Sequence, residues 1–180
     1  MELFRTERLI LREWEESDAK RLADIASTEH IAHWLLDWRE CEEWALSWIQ
    51  GTVKDGYAKN NPMDHFMTWA IVHKQSDELI GMINIGNEEY ENKEVGTGYF
   101  IDINYENHGY ITETVAALCD YAFNNWHYKH IVATISPGNT ASIAVVQKVG
   151  FKYDKDIITN SGGNAEPIIK KLFRLSNPEV

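Results

Sequence analysis

The stretch from Tyr110 to Trp126 places Ile111, Val115, Leu118 and Ala122 four, three and four residues apart, on one face of a helix. It lies between two segments that read as strands, Glu94 to Asp102 and the β-branched run His130 to Ser136. Strand, helix and strand in succession require a crossover, and a crossover makes the two strands parallel. The neighbouring segments have hairpin spacing instead. Phe66 to Lys74 and Glu78 to Asn87 flank the turn Gln75-Ser76-Asp77, and the polar Glu88 to Lys93 leads to the strand at Glu94. These three strands therefore pair antiparallel. A helix from Asn139 to Val149 follows, with Asn139 as N-cap and Gly150 as the stop. Strands at Phe151–Ile158 and Pro167–Leu175 close the chain, with a loop at Asn160–Asn164 between them. The expected fold class is α/β, with a mixed, mostly antiparallel central sheet flanked by helices.

The first half reads as a strand at Arg8–Trp14 and then helices. Ser17-Asp18 starts one that runs to Ser27, with Ala19, Leu22, Ala23, Ile25 and Ala26 inward. A short helix is expected over 29–36 and a longer one over 40–53, carrying Trp44, Trp48 and Ile49. With 180 residues and no repeat or linker, the reading is one domain, 1–180.

Charge and cysteine usage narrow the function. Lys and Arg total 17 against 28 Asp and Glu, a net −11. Such a field opposes a phosphate backbone, so nucleic acid is not an expected partner. Acidic residues cluster at Glu40, Glu42 and Glu43 and at Glu88, Glu89, Glu91 and Glu94, which suits either solubility or a cationic substrate. No apolar run approaches the roughly 18–20 residues of a membrane span, and no signal-like segment opens the chain. Cys41 and Cys119 read as reduced thiols, so the expected place is the cytoplasm. His30-x-x-His33 and His127-x-x-His130 lack a third ligand, and no metal is expected. Trp34, Trp38, Trp44 and Trp48 read as helix packing or as the wall of a substrate site.

The chemistry concentrates where the strand at Glu94 meets the following helix, in Ile103-Asn104-Tyr105-Glu106-Asn107-His108-Gly109-Tyr110-Ile111-Thr112. A helix start offers free N–H donors and a positive dipole end, a site for phosphate. Gly109 allows close approach of a ligand, Asn107 tolerates positive φ, and Thr112 offers a hydroxyl. Three further segments keep their order around it: Thr6-Glu7-Arg8-Leu9-Ile10-Leu11-Arg12, Leu79-Ile80-Gly81-Met82-Ile83, and Asn139-Thr140-Ala141-Ser142 running on to Val146-Gln147-Lys148-Val149-Gly150-Phe151.

This set resembles the GNAT superfamily of acyl-CoA-dependent N-acetyltransferases, above all its ribosomal-protein N-terminal acetyltransferase branch, over nearly the whole chain. The resemblance implies a splayed parallel strand pair with acetyl-CoA as co-substrate. The pantetheine arm would lie along Tyr99, Ile101 and Ile103. The pyrophosphate would lie on Asn107, His108, Gly109, Tyr110, Ile111 and Thr112. It also implies that Asn139 and Ser142 meet the cofactor arm, Ser142 protonating the departing thiolate. Glu94 is the candidate base, and the acceptor is an amine: a protein N-terminus or a small cationic amine. Glu113 reads as a helix-start carboxylate with a structural role. The chain departs from the family pattern at Gly96, at Glu106, which sets a carboxylate beside the phosphate loop, and at Asn107, where a glycine is usual. These departures keep a second reading open, an acyl-CoA-binding or interaction module with this fold and no turnover. Monomer and homodimer are equally compatible with the sequence.

Overall fold

The computed structural model describes residues 2–88, 94–159 and 167–178. Its strands are β1 (Glu2–Arg5), β2 (Leu9–Arg12), β3 (Met67–His73), β4 (Glu78–Glu88), β5 (Glu94–Ile101), β6 (His130–Ile135), β7 (Lys152–Thr159) and β8 (Ile168–Ser176). They form one sheet in the order β1-β2-β3-β4-β5-β6-β8-β7. Every neighbouring pair is antiparallel except β5 and β6, the pair that the crossover helix demands. The expected mixed sheet is thus observed.

Helices cover both faces. On one lie α1 (Ala19–Ala26), α2 (Glu29–Ala32), α3 (Ala45–Trp48) and α4 (Lys54–Lys59). Here Leu22, Ile25, Ala45 and Ile49 pack with Ala70, Met82 and Phe100. The other carries α5 (Tyr110–Trp126) and α6 (Thr140–Val149). Ile111, Val115, Leu118 and Ala122 all face its core and meet Trp69, Ile71, Ile83 and Ile85. Met82 goes to the first core and Ile83 to the second, the two-residue alternation of a strand covered on both sides. Among the described residues no helix is long and apolar enough to cross a membrane. Cys41 and Cys119 are buried and unbridged.

Two elements differ from the sequence reading. The opening strand is a hairpin, because β1 precedes β2 and turns without glycine. Thr6 makes that turn itself: its Oγ1 accepts from the N–H of Leu9 at 3.1 Å. The helix expected over 40–53 begins as a 3-10 turn at Cys41–Glu43, and helical backbone then runs from Ala45 to Lys59 through a π turn at Ile49–Val53. Gly56 lets α4 approach β3, since a Cβ there would lie 2.5 Å from the Phe66 carbonyl oxygen. The expected loop Asn160–Asn164, with Glu89 and Glu91 of the acidic run, lies outside the described residues.

One ion pair ties α1 to the end of β5. Arg21 donates to Asp102 at 2.5 Å and to the Leu79 carbonyl at 3.1 Å. Asp102 also accepts from the N–H of Asn104 at 2.8 Å, which shapes the turn leading to α5. Burial pushes the Asp102 carboxyl up, but Asn104 and Arg21 outweigh it and hold it below the ordinary carboxylate range. A lowered carboxyl adds stability above its unfolded pKa of about 4 and loses it as pH falls through the folded value. Asp102→Asn should therefore cost about 1–2 kcal/mol at neutral pH, with Arg21 partly exposed. It should also flatten the loss of stability below about pH 4. Urea midpoints across pH check this; parallel curves for the two proteins would contradict it.

Candidate active site at the splayed strand pair

β5 and β6 share one registered pair, Gly96 with Val132. Past it β5 remains paired to β4 as far as Ile101, and β6 to β8 as far as Ile135. Between them the two edges face a gap. The gap opens into a cavity of about 380 Å³. Its walls are Thr97 to Ile101 of β5, Ala133 to Ser136 of β6 and its exit, Asn139 and Ser142 at the start of α6, and His30, Trp34 and Trp38 from the α2 side.

The loop into α5 closes one end. Asn107 sits at φ +62 and Gly109 at φ +78, both left-handed, so Asn107 takes a conformation that glycine adopts most easily. Arg8 pins the start of α5. Its Nε donates to Glu113 at 2.7 Å, its backbone N–H donates to the same carboxylate at 3.0 Å, and its Nη1 donates to the His108 carbonyl at 2.8 Å. The guanidinium also lies over the Tyr110 ring, 4.6 Å from its centroid. Burial pushes the Glu113 carboxyl up, and hydrogen bonds from Thr6 and Arg8 more than reverse it, leaving it lowered. Glu113 is thus a brace for the helix start.

The other end is the start of α6. The Asn139 side chain accepts from the Ser142 N–H at 3.0 Å, the expected N-cap. The Tyr99 hydroxyl donates to the Ser142 carbonyl at 3.1 Å. Burial pushes the Tyr99 phenol well up, so it stays a neutral donor. Ser142 is therefore fixed from both sides of its own peptide units.

Tyr99, Ile101, Ile111, Asn139 and Ser142 line the cavity. Ile103, Asn107, His108, Gly109, Tyr110 and Thr112 lie outside the lining, in the turn after β5 and at the start of α5. Glu94 lies outside it too. Its Oε1 is ion-paired with Arg174, which also holds Asp154 at 3.0 Å. Glu94 Oε2 is buried without a hydrogen-bond partner among the described residues. Glu106, placed by the sequence reading beside the phosphate loop, turns into the cavity wall, where its Oε1 lies 2.9 Å from His30 Nε2. Sequence reasoning weighed His30 only for metal binding. Nothing in the chain's order signals a contact between helix α2 and a turn so far along the chain.

The four tryptophans divide between their two expected roles. Trp34 and Trp38 line the cavity. Trp38 is also the centre of an edge-to-face cluster with Trp44, Trp48 and Phe100, at ring centroid distances of 5.1, 5.4 and 5.2 Å. Trp44 and Trp48 pack behind it.

A family model described as an acetyltransferase (GNAT) domain matches residues 8–152. The chain is 34% identical over 124 residues to the uncharacterized protein YkkB of Bacillus subtilis (strain 168), covering 68% of this chain and 67% of that one. It is 26% identical over 151 residues to an uncharacterized N-acetyltransferase, YnaD, of the same organism, covering 82% and 81%. The fold matches that of RimL, the ribosomal L7/L12 alpha-N-protein acetyltransferase in complex with coenzyme A. That match has a TM-score of 0.80 at 18% identity and covers 98% of both chains.

The division of the tryptophans has a measurable consequence. Trp38→Ala removes the centre of a ring cluster and should cost about 2–4 kcal/mol. Trp34→Ala trims a cavity wall and should cost less than about 1 kcal/mol. Urea denaturation of both variants decides this, and equal losses would contradict the division.

Proposed function

The chain belongs to the GNAT acetyltransferase family, and from that premise we propose that it carries the acetyl group of acetyl-CoA to a primary amine seated in the cavity. The observation that carries this reading is the single registered pair between β5 and β6. Beyond Gly96 and Val132 the backbone groups that face the gap have no ladder partner across it. An amide-bearing arm such as pantetheine satisfies such groups by hydrogen bonding. RimL, which shares the fold, is described in complex with coenzyme A.

In this reading the arm lies along Tyr99 to Ile103, and its amides pair with the free edge of β5. The pyrophosphate rests on the backbone amides from Asn107 to Ile111, where the α5 dipole favours anions. Thr112 adds a hydroxyl there. Glu106 turns its carboxylate toward His30 and away from that loop. Asn139 holds the α6 start against the arm, and Ser142 gives its hydroxyl proton to the departing thiolate.

The reaction is a direct transfer. The amine nitrogen forms a bond to the acetyl carbonyl carbon, the carbon–sulfur bond breaks, the sulfur takes the Ser142 proton, and the surplus proton of the nitrogen restores the Ser142 hydroxyl. Holding both reactants in one cavity replaces an encounter in solution. The acceptor enters from the α2 side, where Trp34, Trp38 and Phe100 form an aromatic wall next to Glu106. Rings beside a carboxylate suit an ammonium group, so a protein N-terminus or a small cationic amine fits. Glu94 is already held by Arg174 outside the cavity, so this reading gives it a bracing role between β5 and β8.

Calorimetric titration with acetyl-CoA tests the reading. Saturable micromolar binding is expected, and no binding at millimolar ligand would overturn it. If Ser142 supplies the proton, Ser142→Ala should lower kcat about a hundredfold with little change in acetyl-CoA affinity. An unchanged kcat would remove Ser142 from the mechanism.

A further inference from the structure

An amine reaches the cavity protonated, and an ammonium has no lone pair with which to attack. A basic group in the cavity speeds the reaction by taking its proton. Among the described residues, the ionisable ones that line the cavity are His30, Tyr99, Glu106 and Lys170. Lys170 brings a charge of the same sign as the acceptor. Tyr99 is a buried neutral phenol that already donates to Ser142. A carboxylate is a weak base and serves better as a charge partner. An imidazole exchanges protons near neutral pH.

We propose that His30, held by Glu106, takes the proton from the acceptor amine. This inference rests on the acetyl transfer proposed above. His30 Nε2 lies 2.9 Å from Glu106 Oε1. With a carboxylate facing Nε2, the neutral ring keeps its proton on Nε2 and leaves the lone pair on Nδ1. The ammonium gives its proton to Nδ1, and the freed nitrogen pair attacks the acetyl carbon. The thiolate takes the Ser142 proton, the nitrogen now bonded to the acetyl carbon gives its surplus proton back to the Ser142 oxygen, and the imidazolium, stabilised by Glu106, releases its proton to water. The sum is amide, free thiol and one proton. Side chains about 30% exposed on both partners open a route for that proton.

The surrounding charges leave the pair intact. Glu29 is bound to Arg39 at 2.9 Å, and Asp102 to Arg21. His33 packs its ring on Trp34 rather than on His30. His108 Nδ1 is bonded to the Glu106 carbonyl at 2.6 Å, which fixes the backbone that carries the carboxylate. Glu106 is the positioning residue, and it joins the α2 segment to the loop before α5. On the opposite rim the Trp34 ring lies against Gly138, where an added Cβ would stand 3.4 Å from it. The segment from His30 to Trp34 thus reaches both rims of the gap, with the imidazole in the cavity wall.

Thiol release from acetyl-CoA with 2-phenylethylamine, an ammonium on an aromatic body, tests the assignment. His30→Gln should lose about a hundredfold in kcat at about pH 7 and regain most of it by about pH 10, where the amine is largely neutral on its own. Glu106→Gln, whose amide oxygen still accepts from Nε2, should lose about tenfold in kcat, and Glu106→Leu more, both with KM for acetyl-CoA nearly unchanged. A His30→Gln profile that superimposes on wild type overturns the proposal. A second measurement needs no turnover. The imidazole nitrogen NMR signals of His30 should show a protonated Nε2 and a bare Nδ1, with Nδ1 responding to added 2-phenylethylamine. Glu106→Leu should abolish that tautomer preference. A bare Nε2, or an Nδ1 indifferent to the amine, also overturns the proposal. Failure to bind acetyl-CoA in calorimetry is instead the failure of the acetyl-transfer reading, and the imidazole signals still decide whether this pair receives an amine.

Discussion

A parallel pair of strands can close only as far as its flanking pairings allow. β6 is committed along its length to β8, from His130 against Ser176 to Ile135 against Lys171. β5 is committed in the same way to β4. Each strand follows its own partner, and the right-handed twist of the two half-sheets carries them apart past Gly96 and Val132. The divergence exposes backbone edges inside the molecule, which ordinary folds avoid. It is also what makes room for a cavity in a sheet otherwise packed on both faces.

A gap of this kind needs its rims held, and the polar contacts of the structure gather there. Arg8 braces the start of α5 through Glu113 and the His108 carbonyl. Asn139 and Tyr99 hold the start of α6 through the two peptide units of Ser142. Arg21 and Asp102 hold the turn between β5 and α5 against α1. These braces join elements distant in the chain. The positions of the reacting groups therefore depend on the whole sheet rather than on any one loop.

Much of this was legible in the chain. The α5 stripe gave the crossover, and the crossover gave the parallel pair. Asn139 and Gly150 marked both ends of α6, which runs from Thr140 to Val149. Periodicity sufficed there because each signal is local and each residue acts on its own helix. It failed where a residue serves a distant neighbour. The helix expected to stop at 53 runs on to Lys59, with Gly56 set against the Phe66 carbonyl. β1 is too short to show alternation, and Thr6 makes its turn without glycine. In the candidate site the helix starts and Ser142 could be placed from their motifs. The direction of Glu106 could not, since its partner His30 belongs to another element. Nor could the pairing of Glu94 with Arg174, which depends on β5, β6 and β8 lying side by side.

The central claim is that the gap between β5 and β6 receives the acyl-CoA arm. Amide hydrogen exchange, recorded with and without acetyl-CoA, tests it most directly. Exchange should slow in Tyr99 to Ile103, along the open edge of β5, and in Asn107 to Ile111 at the start of α5. Exchange along β7, remote from the gap, should be unchanged. Protection confined to elements away from the gap, or none at saturating ligand, would contradict the account.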